Sequence, residues 1–173
     1  MKTKEIKIGE VVTVANQEFI VLDKTDSSVL CLKKDFAYKD TKFDSDTNNY
    51  AESEIRKKLN GEYLQTISNE IGINAILDTE IDLTTDDGLD DYGKVIDKVG
   101  LLTAEMYRKY SRIIEKYPVN DWWWLSTATS TPHRGYRFSV RCVYGDNTLI
   151  NSNCSNDYGV RPFCRFSSLI FKS

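Results

Sequence analysis

The residues most able to do covalent chemistry are the four cysteines, Cys31, Cys142, Cys154 and Cys164, and the single histidine, His133. A thiol becomes a nucleophile when a base or a positive neighbour draws off its proton. Cys142 with His133 is the pair that sequence alone would put forward. His133 lies in the polar run Thr129 to Gly135 beside Pro132, which reads as an exposed loop, so every imidazole mechanism rests on one loop residue. The cysteines show no Cys-x-x-Cys spacing and no convergence with histidine that would hold zinc. They are expected to be reduced and partly buried; a disulfide from Cys142 to Cys154 or Cys164 would require export by another route. No phosphate-binding loop, nucleophile elbow or His-Glu-x-x-His occurs. No catalytic residue, metal ligand or cofactor is expected.

Oxygen donors offer two further candidates. Asp44-Ser-Asp46-Thr-Asn48 begins like a calcium loop, but its sixth position is Asn49 and its twelfth Ile55, where glycine and glutamate are needed. Asp78 to Asp97 is acidic almost throughout, with Lys94 its one base. It reads as a surface loop or excursion. Its carboxylates Asp86, Asp87, Asp90 and Asp91 form a possible acidic contact surface, either simply solvated or mimicking a nucleic-acid backbone before a basic groove.

Binding needs displayed side chains rather than a reactive one. Two polar, aromatic-dotted segments, Thr127 to Arg137 and Tyr144 to Tyr158, supply the residue types of adaptable contact surfaces. The candidate binding residues are Thr129, His133, Arg134, Tyr136, Arg137, Tyr144, Asp146, Asn147, Asn153 and Asn156.

The elements that would carry them are short. Glu10 to Val14, Glu18 to Leu22 and Ser28 to Leu32 are β-branched runs separated by turn formers, which suits antiparallel hairpins. Asp44 to Asn49 reads as a polar loop. Ser53 opens a helix that Asn60-Gly61 should end, and a second runs from about Glu62 to Glu70 with Tyr63, Ile67 and Ile71 on one face. Thr103 is an N-cap for a helix to about Tyr110, and Pro118 closes the region. Trp122 to Ser126 reads as a strand with Trp122 and Trp124 on one face and Trp123 on the other. Phe138 to Val143 and Thr148 to Ile150 form a hairpin across Gly145-Asp146-Asn147, and Gly159 to Phe163 a final strand, irregular at Pro162. The chain of 173 residues suits one domain, residues 1–173, with hairpins and helices over 1–118 and a strand-and-loop region over 119–173. Its net charge of −3 argues against direct nucleic-acid binding. Met1 to Gly9 is charged and lacks the apolar stretch of about 7–15 residues of a secretory signal. A cytoplasmic protein away from membranes is expected. Ten tyrosines and three tryptophans serve cores and contact surfaces equally well.

Trp122-Trp-Trp-Leu-Ser126, Ser139-Val-Arg-Cys-Val143 and Tyr158-Gly-Val-Arg-Pro-Phe163 together resemble a family of bacterial and prophage domains that carries a WWL(R)S…G…GVRP signature. Upstream, Tyr50 to Leu64 and Leu101 to Tyr107 resemble the family's S-x-I-R-x-x-L-N and L-L-(S/T)-x-E-x-Y segments, so the likeness runs from about Ile8 to Phe166. It implies an α+β, C-type-lectin-like fold: small antiparallel sheets, two to three short helices and long C-terminal loops. The wider fold includes sugar-binding lectins, phage receptor-binding domains and formylglycine-generating enzymes. The calcium-binding triplets of the lectins and the close cysteine pair of the enzymes are missing here. The resemblance therefore implies a non-enzymatic protein-binding module of phage or mobile-element origin, whose partner is a host or phage protein. An inhibitor of a nucleic-acid-binding defence nuclease, of the anti-CRISPR kind, is the alternative. A formylglycine-generating-like enzyme ranks third.

Overall fold

The computed structural model describes residues 5–172, so residues 1–4 and Ser173 of the expected domain lie outside the described residues. The chain opens as a meander of β1 (Val11–Val14), β2 (Gln17–Lys24) and β3 (Ser28–Lys33), as its β-branched runs require. The first turn takes Ala15 and Asn16 at positive φ (51° and 61°), the geometry a two-residue hairpin favours. β4 (Tyr38–Lys42) follows.

Ser53 caps α1 (Glu54–Lys58) by accepting the Arg56 N–H, as expected. The helix does not stop at Asn60-Gly61. It widens into one π-type turn over Leu59–Tyr63 and continues as α2 (Leu64–Ile71). Asn60 is recruited elsewhere: its amide donates to Val99 O (2.9 Å) and accepts the Val99 N–H (3.1 Å). Gly72, at φ 85°, ends the helix instead.

After β5 (Ile76–Leu77), the acidic stretch is an excursion whose middle, residues 83–93, is a loop as expected and whose two ends are strands. β6 (Thr79–Asp82) and β7 (Lys94–Asp97) pair as an antiparallel hairpin, with Ile81, Leu83 and Val95 buried beneath it. Within the strands alternation decides: Glu80 and Asp82 turn outward while Ile81 and Val95 turn inward. Asp97 is the exception. It is buried and held by the Arg56 guanidinium through two bonds, of 2.8 and 2.9 Å.

β8 (Val99–Gly100) leads to α3 (Ala104–Ile114), capped by Thr103 and longer than the sequence suggests. Then come β9 (Trp123–Ala128), β10 (Ser139–Val143) and β11 (Leu149–Asn153). The expected final strand is two strands: β12 (Asp157–Val160) and β13 (Phe163–Ser167). Arg161-Pro162 carries the chain from one sheet to the other. One sheet runs β1-β2-β3-β13-β5, with β8 also on β13; the second runs β11-β10-β9-β12-β4. The architecture is α+β with short helices. The segment Tyr144 to Tyr158 is not one long loop: β11 and the start of β12 divide it into two short turns, 144–148 and 154–156.

Arg161 is the joint between the sheets. It is fully buried and donates to Lys33 O (2.9 Å), Lys34 O (2.7 Å) and Tyr117 O (3.0 Å), with its guanidinium over the Trp123 ring. Every residue of β9 is buried. Trp123 faces Tyr107 of α3, while Trp122 and Trp124 both meet Tyr158 on the other face, the alternation a strand imposes. The tyrosines are largely struts. Tyr107 donates to Asn147 O (2.6 Å), Tyr110 to Asp23 (2.8 Å) and Tyr117 to Gly9 O (2.6 Å), tying α3 and its exit to three separate strand regions. No helix among the described residues is long and apolar enough to cross a membrane.

Candidate functional site

The register of β10 and β11 sorts the candidate residues into two groups. Ser139 pairs with Asn153, so the loop 129–138 and the turn 153–156 share one end of the sheet. Val143 pairs with Leu149, so Tyr144, Asp146 and Asn147 lie at the other end, about 13 Å away along five residues of strand. Only the 153–156 part of the second segment adjoins the 129–138 loop, and Tyr144, Asp146 and Asn147 lie apart from it.

At the far end the candidates serve the turn. Asp146 accepts the Thr148 N–H (3.0 Å) and hydroxyl (2.6 Å), which hold its carboxyl below the usual range. Asn147 takes φ 71° and offers its carbonyl to Tyr107. Tyr144 packs edge-on against Trp122 at 4.9 Å.

At the near end three segments converge on Asn48. Its amide donates to Ser130 O (2.9 Å) and Ser139 O (3.0 Å), its oxygen accepts from Tyr92 Oη (2.5 Å), and its backbone N–H donates to Arg137 O (2.8 Å). Asn48 is fully buried, so each of these bonds is sheltered from water. It fastens the 44–49 loop, the tip of the acidic hairpin and the 129–138 loop together. Its neighbour Asp44 accepts the N–H groups of Asp46, Thr47 and Glu54, so the carboxylate that began the calcium-like pattern is occupied by backbone. Sequence reading misses Asn48. The local signal is an ordinary turn former, and its partners lie 82 and 91 residues away.

The 129–138 loop is locked from within as well. Thr129 Oγ1 bonds Ser139 Oγ (2.8 Å); Thr131, fully buried, donates to Asp91 (2.8 Å) and accepts the His133 N–H (3.2 Å). Arg134 pairs with Asp87 (2.9 Å), and Arg137 pairs with Asp46 while lying over the Phe138 ring. What this framework leaves outside is a row of exposed side chains: His133, Arg134, Tyr136, Arg137 and Phe138. Tyr136 is 52% exposed, although its backbone N–H is fixed on Thr131 O (3.0 Å). Asn153 and Asn156 border the same end, Asn153 closing the turn onto Ser155 and Asn156 donating to Ser152 Oγ (2.7 Å).

Between this loop and the acidic hairpin lies an open cleft of about 360 Å³, lined by Asp86, Asp87, Thr129, Ser130, Tyr136, Ser139 and Asn151. Its carboxylates are answered by arginines. Asp86 faces Arg141 (3.2 Å) and Arg108 (3.7 Å), and Asp87 faces Arg134. The Asp87 carboxyl is held down at about 2 by the adjacent Ser130 hydroxyl, by Thr85 Oγ1 at 2.6 Å and by Arg134. Ser130 Oγ is buried and closes no hydrogen bond of full geometry. Of the four candidate acidic residues, Asp86, Asp87 and Asp91 are thus tied into the framework, and Asp90 is exposed.

The thiols are sealed in the interior, even that of Cys154 in the turn at the site end. All four are free and fully buried, deeper than the partly buried state expected. Burial pushes the Cys142 thiol up to about 12, with Arg141 opposing, and its Sγ rests 3.7 Å from Ile150 O. The cysteines that face each other are Cys31 and Cys164, across β3 and β13. Spacing in sequence could not reveal that juxtaposition; burial raises Cys31 to about 12 as well.

No curated protein and no solved structure matches the chain. A family model does, and it spans β3 through β13, with the helices, the acidic hairpin and the whole site end, residues 26–168. The chain belongs to that family, DUF6273, a domain of unknown function.

Proposed function

We propose that the chain is a non-enzymatic binding module of C-type-lectin-like fold that contacts a host or phage protein through the 129–138 loop and the adjoining cleft. One observation carries the reading. The exposed row around Tyr136 stands on a loop whose backbone is pinned by Asn48, Thr129 and Thr131 to a fully buried strand. A rigid loop that presents an aromatic ring binds with little ordering cost, which is how preorganised surfaces gain affinity. The reactive groups point the same way. The Cys142 thiol is buried and protonated, and His133 stands on the exposed loop.

Inhibition of a defence nuclease is a more specific version of the same contact reading. The ion pairs favour contact over mimicry, because a nucleic-acid mimic needs carboxylates free to meet a basic groove, while Asp86 and Asp87 already hold arginines. The test is affinity capture from host and phage-infected lysates with the wild-type chain beside a His133→Ala/Tyr136→Ala chain of equal thermal stability. A protein retained by the wild type and lost from the variant is the expected result. Identical captures from both would overturn the placement of the surface.

A further inference from the structure

We infer that the open edge of β11 pairs with the β11 edge of a second copy, joining two five-stranded sheets across a two-fold axis at Asn151. The ladder to β10 shows which backbone groups are free. Tyr144 N–H donates to Thr148 O (2.9 Å) and Cys154 N–H to Phe138 O (2.8 Å), so bonded pairs alternate inward from both ends. Leu149, Asn151 and Asn153 therefore turn their N–H and C=O groups away from β10. Among the described residues, the only backbone partner on that side is Asn156, whose N–H donates to Asn153 O (3.0 Å).

Proteins usually guard such an edge with charge, proline or a bulge. The other edge of this sheet is guarded: β4 carries Lys39 and Lys42, takes Asp40 at φ 47° and packs beside α1. β11, Leu-Ile-Asn-Ser-Asn, has no charge and no proline. Its free groups are also symmetric about Asn151. In an antiparallel self-pair Asn151 faces its own copy, and Leu149 faces Asn153 of the other, so each bond is made twice, as an isologous interface requires.

Two features beyond the backbone fit a second copy. The same register puts Asp146, which has no ion pair among the described residues, against Asn156 of the second copy, at the end of the sheet that bears Arg137. No charge faces its like along the strand. Phe138 and Tyr144, 45% and 42% exposed, lie on one face of the sheet by alternation. The two-fold brings Tyr144 of one copy to the end occupied by Phe138 of the other. The opposite face, with the cleft, stays open in both copies, so the pair would present two contact surfaces side by side.

Asn151 allows a clean test, because its N–H points outward. Asn151→Pro removes an edge donor without taking a bond from β10, whereas Asn151→Ala keeps the donor and loses only the side chain. Sedimentation of the full chain from micromolar to millimolar concentration should show a reversible dimer for the wild type and Asn151→Ala. Asn151→Pro should weaken it about tenfold or more. Asn151→Lys and Asn151→Asp place like charges at the axis, so each should be monomeric alone and should pair when the two are mixed; they serve if the proline chain does not fold. A wild type that stays monomeric at every concentration overturns the inference. So does a folded Asn151→Pro chain that dimerises like the wild type, or a Lys/Asp mixture that stays monomeric. The lysate capture above leaves β11 intact, so the two readings can fail separately.

Discussion

Replacing Arg161 with methionine tests the joint between the two sheets. The guanidinium makes three hydrogen bonds to carbonyls, at 2.7, 2.9 and 3.0 Å, and among the described residues Asp35 acts on it only through charge, without an ion pair. Hydrogen bonds from a charged donor contribute about 1.5–3 kcal/mol each, so the set is worth about 4.5–9 kcal/mol before the cost of burial. Burial opposes it: it lowers the Arg161 pKa to about 10, well below the ordinary guanidinium value, a cost on the order of 3 kcal/mol. The difference leaves a net contribution of about 2–6 kcal/mol, and methionine also leaves Lys33, Lys34 and Tyr117 carbonyls unpaired. Arg161→Met should therefore cost about 3–5 kcal/mol in urea unfolding and lower Tm by about 10 °C. Arg161→Lys should recover only part of this, because one ammonium cannot reach three carbonyls in the plane of a fork. A methionine chain within about 1 kcal/mol of wild type would refute the role given to the bonds.

Stability should fall as pH rises from about 9 to about 12, where unfolded thiols and phenols ionise while the folded ones stay protonated. Burial raises Cys31, Cys142, Tyr107 and Tyr110 to about 12, so in this window the folded chain holds more protons and stability is lost; Arg161, lowered to about 10, opposes weakly with the reverse sign. Urea midpoints that are flat between pH 8 and 11 would contradict this. Gly159→Ala should cost about 1–3 kcal/mol, since a Cβ there would lie 2.3 Å from the Phe36 ring; an unchanged unfolding midpoint would show that the ring yields freely. Asp97→Asn should cost about 2 kcal/mol, less than a fully buried pair because Arg56 keeps 29% of its side chain exposed, and thermal unfolding of the variant measures it.

Local pattern made the first three strands, the Thr103 cap, the tryptophan strand and the β10–β11 hairpin legible, because each rests on alternation or on a cap within four residues. β4 was not legible. Its sequence, Tyr-Lys-Asp-Thr-Lys, is polar with no apolar alternation, and only pairing with β12 makes it a strand. Asn60-Gly61 looked like a helix end for the same reason: nothing local shows that Asn60 is held by Val99. In Asp78 to Asp97 charge located the loop at 83–93 but hid the two flanking strands, whose inward Ile81 and Val95 decided them. At the site, residue types located the exposed loop around Tyr136. Its division from Tyr144, Asp146 and Asn147 depends on strand register, and its clamp, Asn48, acts across the chain. Gly159 and Arg161 of the Gly-Val-Arg-Pro run have physical roles. Gly159 admits the Phe36 ring, and Arg161 gathers carbonyls from two loops.

The central claim is that binding occurs where Tyr136 is displayed. Its most direct measurement is photo-crosslinking in host and phage-infected lysates with a benzoyl-phenylalanine at position 136, beside the same group at exposed Ile73 on the far side of the sequence from the site. A distinct protein adduct from position 136, absent from position 73 and competed away by unlabelled wild-type chain, is the expected result. The same adducts from both positions, or none from 136, would contradict it.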